Sequence, residues 1–457
     1  MKSYKMSYTI SSMIVLILSI AAVIIIDLPI YLGLLSTLVY MTGLSMYRGY
    51  SFGIVMGMVL RKMRAVDYVA GMMLMIGGLV ALWMQTGTIP ALIYFGFKYL
   101  AKYNLVFTAY LICMAMSLMI GSAIGTLSTI GVVFLAVGQG IGIPSGLMVG
   151  AIASGAYVGD RMSPLASGGN LATAAVGTSL PKVLKKLLKS NWISLIIVGI
   201  IYLIMGSKFD IGVEALGTLE KVTHAITLEY NLSIILIIPL ITLLLAILIF
   251  RLGIIKSLGI ASLMSLLIAI ALQGQNPVEL VSNYINGFKS TSPALSDLIK
   301  GGGINSMWSV VLAILFSAGI NGILEGTDMI YPLLDNWIGV SRTPGKLVRK
   351  TIYTCIIVTV LTCNQSLTAL LTGSYFADKF VDMGFDRADL ARVILDTGIL
   401  IVALIPWNVN AIFFKSVSGI AAVEYAPYAY YLWLVPALTL AGTLFMKKNN
   451  LEEKGAA

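Results

Sequence analysis

Tyr8-Thr-Ile-Ser-Ser-Met-Ile-Val-Leu-Ile-Leu-Ser-Ile-Ala-Ala-Val-Ile-Ile-Ile26 contains no charged residue. Its apolar residues are continuous rather than alternating. About 20 such residues, rising 1.5 Å each in a helix, cross the ~30 Å hydrocarbon core of a bilayer. A second run, 28–46, follows at once, and others recur at 69–85, 105–120, 192–205, 232–250, 254–272, 307–323, 352–371 and 430–446. Lipid offers no hydrogen-bond partners, so only helices and closed barrels span it, and unbroken apolar runs select helices. Composition agrees: 58% of 457 residues are hydrophobic, 11% are charged and mean hydropathy is +0.94, against roughly 25% charged in a soluble domain. The expected fold is all-α, a polytopic membrane protein.

Charge and cysteine usage narrow the function. The 30 Lys and Arg against 20 Asp and Glu give a net charge of +10. They lie in short clusters between apolar runs, as membrane proteins use them to set orientation. No basic face with interleaved aromatics is present, so nucleic acid is not an expected partner. Cys113, Cys355 and Cys363 sit in apolar stretches without disulfide or metal spacing, and are expected as buried thiols. No paired catalytic motif, metal cluster or phosphate loop is found, which argues against an enzyme and against any cofactor. Nothing resembles a channel filter repeat. The first run follows Lys2 and Lys5 without a small-residue cleavage site, and reads as a retained helix.

The basic clusters (Arg61, Lys62 and Arg64; Lys182, Lys185, Lys186 and Lys189; Arg342, Lys346, Arg349 and Lys350; Lys447 and Lys448) belong in the cytoplasm by the positive-inside rule, with both termini. That places the chain in the inner, cytoplasmic membrane as a multi-pass protein. The segment 208–230, with Asp210, Glu214, Glu220 and Glu229, reads as an external loop joining two halves, 1–207 and 231–457. Each half opens with two apolar helices and an amphipathic stretch (50–66, then 277–300). Gly87-Thr88 and Gly326-Thr327 lie 239 positions apart, and at the same separation Thr126 meets Gln365 and Thr129 meets Thr368. Two inverted-topology repeats are therefore expected. Segments 122–140, 145–159 and 390–420, rich in Gly, Ser, Thr and Pro, are expected as broken or re-entrant helices lining a cavity. Hydropathy leaves open whether 390–420 crosses or loops back, and a homo-oligomer is compatible with this reading.

Polar residues in hydrocarbon cost roughly 2.5–3.5 kcal/mol each when charged, so they mark candidate sites. Asp160 and Ser163, with Pro164 and Gly168-Gly169 before Asn170, offer hard oxygen ligands and freed carbonyls. Thr126, Ser128 and Thr129 supply hydroxyls that either ligate or pack helices. Asn364 and Gln365 cannot both face lipid. Asp396, one turn after Arg392, precedes Pro406-Trp407-Asn408. Glu325 is a candidate proton carrier if buried, and a helix cap otherwise. His224, the one histidine, falls in the polar connector.

These residues together resemble the NhaC family of sodium/proton antiporters, part of a wider ion-transporter group that includes malate/lactate exchangers. The resemblance covers nearly the whole chain. It rests on Gly77-Gly78, Trp83, Gly87-Thr88-Ile89-Pro90, Gly125-Thr126, Thr129-Ile130-Gly131 and above all Gly159-Asp160-Arg161-Met162-Ser163-Pro164-Leu165 with Asn170. Gly301-Gly302, Ser306-Met307-Trp308, Gly322, Leu324-Glu325, Asp396 and Pro406-Trp407-Asn408 extend it. It implies ion-coupled transport by alternating access, with Na+ or H+ as coupling ion; the alternative is a coupled carrier of an amino acid or carboxylate. Where the family usually reads Ser-Asp-Thr-Thr-Asn, this chain has Ala166-Ser167-Gly168-Gly169-Asn170; where it usually reads Gly-Asp-Gln, it has Cys363-Asn364-Gln365. Both departures remove a carboxylate, leaving Asp160, Asp396 and Glu325, and the added glycines are expected to widen the pocket.

Overall fold

The computed structural model describes residues 6–444 except 27, 101–103, 165, 210–222, 251, 293–294, 297–298, 330–342 and 363–364, and excludes the side chains of 6, 96–100, 248 and 254. Two helices, α1 (Met6–Ile25) and α2 (Ile30–Tyr47), open the chain as a pair. Ser19 on α1 satisfies its hydroxyl against Gly33 O and Thr37 Oγ1 of α2, at 3.0 and 2.9 Å. The amphipathic α3 (Phe52–Arg64) starts at Ser51, whose side chain accepts from the Ile54 amide, and ends on Arg61, Lys62 and Arg64. Those cations oppose the negative end of the helix dipole. Next come α4 (Asp67–Gln85), α5 (Thr88–Leu100) and α6 (Leu105–Ile120).

After Gly121 and Ser122 the chain folds back into one helical run: α7 (Ala123–Thr126), a π turn at Leu127–Gly131 and α8 (Val132–Gly140). Then follow α9 (Ser145–Met162), α10 (Ser167–Val176) and α11 (Leu180–Gly206). A 3-10 turn at Ile234–Ile237 enters α12 (Ile238–Leu248), followed by α13 (Ile254–Gln273) and the short α14 (Pro277–Asn286). An antiparallel hairpin of β1 (Phe288–Lys289) and β2 (Lys300–Gly301) precedes α15 (Trp308–Gly326). Then come α16 (Pro344–Thr362), α17 (Gln365–Asp382), α18 (Arg387–Asp396), α19 (Val409–Ser418), α20 (Ala422–Tyr425) and α21 (Tyr430–Gly442).

Early and late helices interleave: α15 lies along α2 and α3, whereas α4 lies along α13 and α14. The segment just after β2 reaches α4 directly: the Gly303 amide donates to Gly77 O at 2.6 Å. A Cβ at Gly302 would stand 2.5 Å from the Ala81 nitrogen, and Gly302 and Gly303 both have positive φ, so only glycine fits there.

Seven described helices are long and apolar enough to cross a membrane, or eight if the bent pair Thr223–Glu229 and Ile234–Ile247 forms one span. The chain is thus a nearly all-helical, multi-pass membrane protein, as its apolar runs imply. Three expectations change. Segment 145–159 is unbroken helix within α9; its small residues serve close packing on α6. Segment 352–371 is not one straight span. In a helix, residues nine apart are separated by ~13.5 Å along the axis, yet the Thr359 and Thr368 hydroxyls are 3.0 Å apart, so the chain reverses between them. The amphipathic helix in 277–300 stops at Asn286, because Gly287 (φ +96°) turns the chain into the hairpin. Of the expected connector 208–230, positions 210–222 lie outside the described residues.

The α6–α9 contact is the most exacting. A Cβ on Gly159 would stand 2.0 Å from the Ser117 carbonyl carbon, and the Ser117 hydroxyl donates to Ala156 O. Gly159→Ala must therefore move backbone, whereas Gly43 on α2 has open space around it. Overpacking of this kind costs typically ~1–3 kcal/mol. Gly159→Ala is expected to lower the melting temperature of detergent-purified protein markedly, and Gly43→Ala to leave it unchanged or slightly raised.

Candidate functional site

Asp160 and Arg161 occupy the last turn of α9. Successive helical residues diverge by about 100°, so the two side chains meet different neighbours. Asp160 is buried. Its Oδ1 accepts from the amide of Ala123, the first residue of α7, at 3.4 Å, and its Oδ2 accepts from Gln365 Nε2, on the first residue of α17, at 3.1 Å. The positive N-terminal end of α7 favours a carboxylate there. No basic side chain pairs with Asp160 among the described residues.

Arg161 points the other way and is wholly buried. Its Nη1 lies 3.0 Å from Asp396 Oδ1, while Arg392 Nη1 lies 2.7 Å from Asp396 Oδ2. Thr439 donates to the same Oδ2 at 3.2 Å, and the guanidinium sits 5.2 Å from the Tyr431 ring centroid. Nε and Nη2 of Arg161 have no partner. Asp396 is thus committed to two arginines, and this knot ties α9 to α18 and α21.

Beside the Asp160–Gln365 contact opens a cavity of about 400 Å³, whose polar lining is Lys62, Ser317, Asn321, Gln365, Ser366, Asn408 and Asn410. Ser317 Oγ, Asn321 Oδ1 and Asn408 Nδ2 are buried without a hydrogen-bond partner. A buried unsatisfied polar group costs about 1–3 kcal/mol, so three around one cavity mark it as a binding space. Ser317 and Asn321 are four residues apart and share one face of α15. Neither stood out in the sequence; the available signal was an asparagine midway along an apolar helix.

The remaining expected residues are distributed as follows. Thr126, Ser128 and Thr129 donate to carbonyls of their own helix, at Ser122, Ile124 and Gly125, within 2.7–2.9 Å. Ser163 is buried at the α9–α10 interruption. Asn170 is exposed, and its amide donates to Pro164 O and Ala166 O at 3.2 and 2.9 Å, closing that interruption rather than lining the cavity. Trp407 Nε1 donates to Val360 O at 3.0 Å. Asn364 lies outside the described residues. Glu325 is not buried: its side chain is 47% exposed and pairs with Lys62 at 2.6 Å, so it sits at the cavity's edge. The space expected at Gly168 is also taken up, since a Cβ there would stand 2.9 Å from Gln365 Nε2. The structure therefore brings together Asp160, Gln365 and Asn408, and sets Asp396, Asn170, Trp407 and Glu325 apart from them.

A desolvated carboxylate between helix ends, beside a polar cavity in an apolar bundle, defines a membrane transporter rather than an enzyme. The chain matches the Na+/H+ antiporter family over residues 155–447 and belongs to it. It is 30% identical to the Na+/H+ antiporter NhaC of Alkalihalophilus pseudofirmus, over 80% of this chain and 79% of the relative. It is 25% identical to the malate-2H+/Na+-lactate antiporter of Bacillus subtilis, over 92% and 89%. Identity to the arginine/ornithine antiporter ArcD of Halobacterium salinarum is 28%, over 79% and 75%. The resemblance read from the motifs is borne out.

Removing one partner of a buried ion pair costs about 3–5 kcal/mol, whereas replacing the pair by apolar residues is often neutral. Asp396→Leu is expected to abolish monodisperse protein in detergent, and Asp396→Leu combined with Arg161→Met and Arg392→Met to restore most of it, as measured by fluorescence-detected gel filtration.

Proposed function

We propose that the chain is an ion-coupled antiporter working by alternating access, in which Asp160 is the group for which the coupling cation, Na+ or H+, competes. One observation carries the reading: Asp160 is a buried carboxylate whose partners among the described residues are neutral donors, the Ala123 amide and the Gln365 side chain. A cation arriving there meets uncompensated negative charge. Gln365, Asn408, Ser317 and Asn321 are assigned to the passenger. Ser163, Asn170, Trp407, Thr126, Ser128 and Thr129 are assigned to holding the interrupted helices around it, and Asp396 to fixing Arg161.

The reading includes two inverted repeats, 1–207 and 231–457, joined by an external connector at 208–230. The crosswise packing of α15 on α2–α3 and of α4 on α13–α14 supports it, as do matching reversals before α7 and α17. The basic clusters support cytoplasmic termini and a location in the inner membrane as part of this reading.

A second reading has a small organic passenger. Cavity volume favours it, since about 400 Å³ falls in the ~300–1,000 Å³ range of small-molecule sites. Among the relatives, two are named for organic passengers.

Reconstituted vesicles decide between them. With an imposed pH gradient, added Na+ is expected to dissipate the gradient in wild-type vesicles, and Asp160→Asn to reduce that response to the level of empty liposomes while the protein stays folded. A gradient indifferent to Na+, together with amino-acid or dicarboxylate counterflow, would establish the second reading. Unchanged flux in Asp160→Asn would remove this residue from the site.

A further inference from the structure

Two cavities share walls in a consistent order. On α15, Ser317 lines the cavity beside Asp160, while Ala313 and Ser309 line a second cavity of about 350 Å³. On α19, Asn408 and Asn410 line the first cavity, and Ile412 and Lys415 line the second. From Ala313 to Ser317, and from Asn408 to Ile412, is one helical turn, about 6 Å of rise. A third cavity, of about 270 Å³, adjoins the second at Ser416. Here α4 repeats the order, with Val69 on the first cavity and Val80 on the third. Three separate helices thus give one end to the Asp160 cavity and the other end to the space beyond α19.

The partition between them is thin and separately hinged. α19 is ten residues long, starts from an Asn408 cap after the irregular stretch 397–408, and ends at left-handed Gly419. Between the polar rows stand only apolar side chains, with the buried Ile314 of α15 lining the first cavity and the buried Ile412 of α19 lining the second. The far cavity is hydrophilic in part, lined by Tyr31, Ser306, Ser309 and Lys415.

We propose that these cavities are the two vestibules of a single route, that α19 is the partition between them, and that the Ile412 side chain is its plug. The route takes small hydrophilic solutes, wetted from both sides and separated by one apolar turn. The inference rests on the transport reading but not on the identity of the passenger or on Asp160.

The test uses Ser309→Cys and Ser366→Cys, both at exposed positions, in a chain with Cys113, Cys355 and Cys363 replaced by serine. Cys113 and Cys355 are buried, so a chain with only Cys363 replaced is the second background. A membrane-impermeant thiol reagent applied to right-side-out and inverted vesicles is expected to modify each position from one face only, and from opposite faces. Modification of both from the same face, or of Ser309→Cys from neither, overturns the route. Ile412→Ala is expected to speed passive collapse of a pH gradient at least tenfold without added Na+ or solute; an unchanged leak overturns the plug. Failure of Na+/H+ exchange alone would leave the labelling pattern intact, so the two readings fail separately.

Discussion

Hydrocarbon offers no partner for a backbone amide or carbonyl, so every interruption of a helix within the bundle must be closed by the protein itself. Much of the polar sequence is committed to this. At the turn before α7, Ser122 Oγ accepts from the Gly125 amide at 3.1 Å. At the end of α9, Asn170 donates to two carbonyls of the interruption. Across 397–408, Tyr425 donates to Ala403 O at 2.5 Å, Trp407 donates to Val360 O at 3.0 Å, and Asn408 Oδ1 accepts from the Asn410 amide at 3.0 Å. The reversal between α16 and α17 carries the Thr359–Thr368 contact. Asp160 belongs to the same system, because one of its oxygens accepts the first amide of α7. The site is therefore a helix interruption whose closing group is ionisable.

Helices from early and late in the chain are held to each other by contacts that tolerate little change. The glycine loop at 301–303 touches the α4 backbone, Gly322 of α15 lies against the α3 backbone at Met58, and Arg161 reaches Asp396 across 235 positions. Tyr202 bonds to Ser154, Gly150, Tyr428 and Tyr430, joining α9 and α11 to the start of α21. Such polar knots are strongly directional in a low dielectric. They leave α19, hinged at both ends, as the short element between cavities.

The helical, multi-span architecture was legible because hydrophobic runs are local signals. Asp160 and Gln365 stood out for the same reason, as costly groups in apolar surroundings. What the sequence could not separate was a polar group consumed by its own backbone from one left unspent. Thr126, Ser128, Thr129 and Asn170 belong to the first kind, while Ser317, Asn321 and the amide of Asn408 belong to the second. Glu325 illustrates another limit. Its position at the end of an apolar helix was readable, but its partner Lys62 lies 263 positions away on a helix of the other half. Likewise, the two glycine pairs at 77–78 and 301–302 carry no local sign that their segments meet.

The arrangement of charge gives the proposed exchange its coupling. Arg161 and Asp396 neutralise each other, and Lys62 and Glu325 do so at the cavity's edge. Arg392, partly exposed, reaches only Asp396 among these groups. Beside the cavity, joined to its wall through Gln365, stands one carboxylate, Asp160, with neutral donors. A lone negative charge in a low-dielectric interior is expensive, by several kcal/mol even after relaxation. If α19 and the helices around it are to reorient, that cost is lowest when Asp160 carries either a proton or a metal cation. An uncompensated carboxylate would be the slow state to cross, and a site holding two monovalent cations would carry excess positive charge. On the proposed reading, this electrostatic asymmetry favours single occupancy alternating between ions, with the neutral amides and hydroxyls of the cavity left to select what travels with the ion or against it.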